Sequence, residues 1–346
     1  MPNEAIDWAA AVRSAQRRAP HGPTVTAAEA RDAVRDLRRF SRSAERHVRD
    51  TTGLGAGLPI ADAEVVDRRG WIAASAQGMA QLTAPLTDAL IPDDYRGPSA
   101  GAGLGFLLAY LSGRVLGQYD PVGGESGGRL LLVAPNVIKV ERELDVDPGD
   151  FRLWVCLHES THRLQFSAVE WMTGYFRQLV ADYAAVAPTD AGEFLRHVAQ
   201  VLGRRRDRTG GDEALPAGSN TLLRRIQTPE QQQVFDRLMA LMTLLEGHAD
   251  VVMDAVGPDV VPSVGQIRAA FTARRMKRRG PIDRLLRSAL GLDAKMAQYA
   301  RGAEFVRGVI DRVGMTPFNA VFTSPQTLPT LAEIADPAAW VRRVHG

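Results

Sequence analysis

The stretch VCLHESTHRLQF, residues 155–166, sets two histidines four positions apart, with a glutamate directly after the first. Around it Phe151, Leu153, Trp154, Val155, Leu157, Leu164 and Phe166 make the segment apolar on most sides, so the pattern predicts a largely buried helix. Burying His158, Glu159 and His162 without partners would strip each of its hydrogen bonds to water. A metal ion, a hydrogen-bonded polar network or a cleft that keeps this face wet must offset that cost.

Histidines four apart on a helix lie one turn above each other on one face, so His158 and His162 can converge on one ion. Glu159 points about 100° around the axis, where it can reach a water on that ion without being a ligand. This is the helical His-Glu-x-x-His arrangement of zinc peptidases, with the glutamate as general base. Its extended form needs glycine at 165 and histidine at 168, but the chain has Gln165 and Ala168. The third ligand must come from elsewhere.

The stretch LMALMTLLEGHADVVMD (238–254) offers one. On a helix Met239, Met242, Ala249 and Met253 share a side that Glu246 interrupts, and a cation would supply the counter-charge. Asp250, one turn further on, is placed to accept the spare N–H of a ligand histidine. His248 is the competing ligand. It lies about 200° from Glu246 around the helix, so both cannot face the same ion. Nitrogen and carboxylate donors favour one zinc ion, although other divalent metals accept such a set.

At 346 residues the chain is long enough for one large domain or two ordinary ones, and its 45% apolar and 24% charged residues are those of a globular protein. The net charge of +2 gives no electrostatic case for nucleic acid. Only Lys139, Lys277 and Lys295 accompany the arginines among 42 basic residues. The runs RRRDR (204–208) and ARRMKRR (273–279) lack interleaved aromatics and read as solvated faces. A single cysteine, Cys156, excludes an internal disulfide and is expected in the core. With no secretory signal pattern at the start and no long apolar span, a cytoplasmic protein without a membrane partner is expected.

Helical periodicity dominates, and the expected class is mainly α with a small β-sheet. TAAEARDAVRDLRRFSRSAERHVRD (26–50) opens with a capping box and carries Ala30, Val34, Leu37 and Phe40 at helical spacing. Residues 65–90 continue in helical style with breaks at Gly70 and Pro85. In AGAGLGFLLAYLSG (100–113) the glycines suit close helix packing rather than a dinucleotide fingerprint. GGESGGRLLLVAPNVIKVEREL (123–144) is the best strand candidate, with one or two strands including the alternation at Val137, Lys139, Val140 and Glu141. Asp147 or Asp150 can cap the next helix, with Pro148 in its first turn. Residues 168–187 read as a further helix, and 203–220 as a long loop and candidate lid. The expected organisation is an N-terminal helical region, 1–122, packed on a metal-binding core, 123–346, as one integrated domain.

Five segments together, SGRVLGQYDP (112–121), LHESTHRLQF (157–166), LEGHADVVMD (245–254), GLDAKMAQYARGAEFV (291–306) and LPTLAEIADPAAWVRR (328–343), resemble the bacterial zincin-like metallopeptidase type 2 family. It is a glutamate-zincin type, in which a Glu-x-x-x-Asp helix supplies the third ligand and an acid behind the ligands. The resemblance implies a zincin-like fold with His158, His162 and Glu246 as ligands, Glu159 as base and Asp250 as the supporting acid. Family members are classed as hydrolases, and one branch is linked by association to deazaflavin cofactor biosynthesis.

The expected activity is zinc-dependent hydrolysis of a peptide or protein substrate, with residues 130–141 as an edge strand for it. Tyr183, Tyr299, His248 and several arginines are candidates to stabilise an oxyanion. The alternative is a non-catalytic zincin fold, a binding or scaffold protein whose metal site is closed by a fourth protein ligand.

Overall fold

Leu130, Leu131, Leu132 and Val133 are all buried, because the strand they form is covered on both faces. Successive side chains of a strand point to opposite sides. Leu130 and Leu132 enter one apolar cluster, while Leu131 and Val133 enter another.

The computed structural model describes residues 6–84, 98–124, 127–186, 229–276 and 292–346. Its helices, in chain order, are α1 (Trp8–Arg18), α2 (Ala27–Thr52), α3 (Arg68–Thr83), α4 (Pro98–Ser112), α5 (Ala134–Leu144), α6 (Pro148–Ser167) and α7 (Met172–Val186). There follow α8 (Pro229–Val256), α9 (Val264–Met276), α10 (Leu292–Val313), α11 (Met315–Phe318), α12 (Leu331–Ala335) and α13 (Pro337–His345). The strands are β1 (Glu64–Val66), β2 (Gly117–Asp120) and β3 (Arg129–Val133), in the sheet order β1-β3-β2. β1 runs parallel to β3 with Val65 opposite Leu132, and β2 runs antiparallel with Gln118 opposite Leu131. The class is α+β, mainly helical, as expected.

The capping box at Thr26 and Glu29 opens α2 as its sequence predicts. Its buried stripe is Ala33, Leu37, Ser41, Ala44, Glu45 and Val48, which packs on α6. Of the four apolar positions expected to define that face, only Leu37 is fully buried. Asp147 caps α6 through the Asp150 N–H at 2.9 Å, with Pro148 in the first turn.

Three local expectations fail. The strand ends at Val133, and residues 137–141, expected to alternate in a strand, lie in α5. Val137, Ile138, Val140 and Glu141 are all buried there, a helical face and not a pleated one. β3 is also the central strand, so the segment expected to offer a free edge has both of its edges paired. Gly70 does not break α3; its N–H donates to the Asp67 cap within the first turn. Pro85 and the 203–220 loop lie outside the described residues, as does RRRDR.

Three apolar clusters surround these elements. One joins α2, β3, α5, α6 and the end of α8. A second joins α7, α8, α10 and the C-terminal segments, and a third joins α1, α3, α4 and β3. α1 packs tightly on α4, where a methyl at Gly105 would lie 2.9 Å from the Ala11 carbonyl. Cys156 is fully buried, as expected, with its Sγ 3.8 Å from the Leu37 carbonyl. Among the described residues no helix is long and apolar enough to cross a membrane.

Candidate metal centre

α6 is buried along most of its length, from Phe151 to Gln165, and it runs beside both β2 and α8. The two histidines open the one partly solvated side. The side chains of His158, His162 and Glu246 are 26%, 14% and 22% exposed, whereas their helical neighbours are mostly sealed.

The Nε2 atoms of the two histidines are 3.2 Å apart, with the rings nearly perpendicular. Glu246 approaches from α8, its Oε2 3.6 Å from His158 Nε2 and its Oε1 3.8 Å from His162 Nε2. One donor atom from each of the three residues lies within 4.8 Å of the others, a group able to hold one metal ion. Ligand atoms about 2 Å from a shared tetrahedral ion are separated by about 3–4 Å, so the spacing fits zinc. Among the described residues no fourth histidine, cysteine or carboxylate joins this group. Cys156, two residues before His158, is buried in the core and is not in the group.

Glu159 is buried behind the pair, under the first residue of β2. A methyl group on Gly117 would fall 2.5 Å from Glu159 Cγ and 2.9 Å from its Oε1. Burial first, and then the negative charge of Glu246, push the Glu159 carboxyl up to about 8. Cationic charge close by acts in the opposite direction on a carboxylate.

Gln165, which stands where the extended motif needs glycine, takes up the far side of His162. Its Oε1 is 2.9 Å from His162 Nδ1, and its Nε2 is 2.9 Å from the Leu245 carbonyl and 3.0 Å from His248 Nδ1. His158 Nδ1 lies 3.3 Å from Met253 Sδ. Asp250 sits half-buried one turn after Glu246, its main-chain carbonyl accepting from Arg268 at 2.7 Å.

His248 is neither at the cleft nor among the converging donors. It is fully buried, packed against Phe318 and Phe322 with ring centroids 5.4 and 5.3 Å away, which removes it as third ligand and as oxyanion partner. Burial, with a smaller contribution from His162, pushes its imidazole down to about 3, so it is neutral. Tyr183 packs against Phe235, with centroids 6.0 Å apart. The side chain of Tyr299 lies outside the described residues.

A helix bearing two histidines and a glutamate, met by a carboxylate from a second helix beside a small sheet, is the arrangement of a zincin-type site able to hold a metal. The family model described as zincin-like metallopeptidase matches residues 6–341, and the chain belongs to that family. The chain is also similar to a crystal structure described as a candidate hydrolase with a novel fold from Chloroflexus aurantiacus. The two are 32% identical, with a TM-score of 0.71 over 98% of this chain and 99% of the other. No curated protein matches the chain significantly.

Proposed function

We propose that this protein is a zinc-dependent hydrolase that cleaves peptide bonds, with His158, His162 and Glu246 holding one ion and Glu159 as general base. The observation that carries this reading is the convergence of three donors from two helices on a half-open face, with a buried carboxylate beside them. When bound, a divalent ion would polarise the scissile carbonyl and make an attacking water acidic near neutral pH. Glu159 takes a proton from that water and delivers it to the leaving amine nitrogen. Asp250 is the proposed acidic support for the ligand helices, four residues beyond Glu246.

Substrate alignment falls to β2. Among the described residues it pairs with β3 on one side only, and it passes directly over Glu159, so its other edge can take an extended peptide by strand addition. Such a substrate would lie along the strand with its scissile bond near the histidine pair. The absence of a fourth ligand among the described residues favours this reading over a closed, non-catalytic site.

The test uses Glu159→Gln. The variant should retain the metal content of the wild type while kcat on a peptide library falls by about 100-fold or more. Unchanged turnover would remove Glu159 as the base. A hydroxamate inhibitor should bind the metal-loaded wild type; a site closed by protein ligands would ignore it.

A further inference from the structure

Gln165 is fully buried, and its amide spans the two ligand helices. Its orientation follows from one group. The Leu245 carbonyl can only accept, so the amide nitrogen must face it, at 2.9 Å. The amide oxygen then faces His162 Nδ1 at 2.9 Å and can only accept, which requires a hydrogen on that nitrogen. His162 Nε2 is left with its lone pair directed toward Glu246 and His158. The second amide hydrogen points at His248 Nδ1, 3.0 Å away, so Nδ1 accepts and the His248 hydrogen sits on Nε2. That Nε2 is buried without a hydrogen-bond partner among the aromatic rings.

We infer that Gln165 is a positioning residue: the Leu245 carbonyl, acting through the Gln165 amide with His248 as its anchor, fixes the tautomer and ring orientation of His162. This rests on the metal site proposed above and adds to it. The same contact joins α6 to α8 at the residue immediately before Glu246, so one side chain registers the second histidine against the third ligand. An amide suits this place because it must donate twice and accept once, in three directions. Leucine of similar size would leave the His162 N–H, the Leu245 carbonyl and His248 Nδ1 without that partner. The His248 ring holds the amide from behind, which accounts for a polar ring in an otherwise aromatic pocket.

Zinc and cobalt affinities are to be measured by competition titration for the wild type, Gln165→Leu and His248→Phe. Gln165→Leu should bind about 10–100-fold more weakly, the usual effect of losing a partner behind a ligand histidine. His248→Phe keeps the packing but removes the anchor, and should lose a smaller factor. Wild-type affinity in Gln165→Leu would overturn the positioning role. Long-range proton–nitrogen NMR of the histidine rings in the unmutated protein gives a second readout that does not depend on the variants folding. The hydrogens should be found on His162 Nδ1 and His248 Nε2, and the reverse on either ring would overturn the relay. A wild type that takes up no metal would instead refute the proposed function, and the tautomers would still decide whether Gln165 orients His162.

Discussion

Glu45 and Arg163 form a buried ion pair next in sequence to His162, with side-chain exposures of 2% and 10%. Arg49 pairs with the same carboxylate, and Arg163 also donates to the Pro59 carbonyl at 3.2 Å. Removing one partner of a buried pair leaves an uncompensated charge, so Glu45→Ala should destabilise the protein by about 3–5 kcal/mol. Denaturant unfolding measures it, and a loss below about 1 kcal/mol would show the pair to be solvated in solution. At this scale the motif residues were readable, because helical spacing alone puts His158 and His162 on one face. Glu246 was readable as a carboxylate on an apolar side. Gln165 was not, since its role depends on where Leu245 and His248 arrive from a helix far away in sequence. Nor was the burial of His248, which the Phe318 and Phe322 rings determine.

At the scale of elements, two close approaches position the site. Gly117 lets β2 pass over Glu159 without a side chain between them. Gly117→Val should therefore displace the proposed base and lower kcat on a peptide library by about 100-fold, while metal content stays at the wild-type level. Unaltered activity would mean that the strand can move aside. The second approach is the crossing of α8 and α10, where Gly247 and Gly302 face each other's backbone. A methyl at Gly302 would overlap the Thr243 carbonyl, so Gly302→Ala should cost about 1–3 kcal/mol by overpacking and should weaken metal binding through its effect on Glu246. Unfolding and zinc titration of the same variant check both effects. The elements themselves were largely legible: the α2 capping box, the Asp147 cap and the α6 and α8 helices all follow from residue patterns. The failures are short segments where two periods overlap. Val137, Lys139 and Glu141 fall at alternating positions while Val137, Val140 and Glu141 fall at helical ones, and Pro135 in the first helical turn settles it toward α5. β1 is three residues long, and its pairing partner β3 begins 63 positions further on, at Arg129 after Val66.

The whole molecule places the candidate metal centre between two apolar clusters, one reaching it through α6 and one through α8. Ligands drawn from both sides would make metal binding a brace across that junction. A ligand that binds only the folded state adds about 2.7 kcal/mol when its free concentration is 100 times Kd. Zinc should accordingly raise the unfolding midpoint of the wild type and leave Glu246→Ala unmoved. The most direct measurement is elemental analysis of the purified wild type beside Glu246→Ala. The convergence of His158, His162 and Glu246 on one ion predicts one equivalent of zinc in the wild type and a large loss in the variant; equal metal content in the two proteins would contradict it.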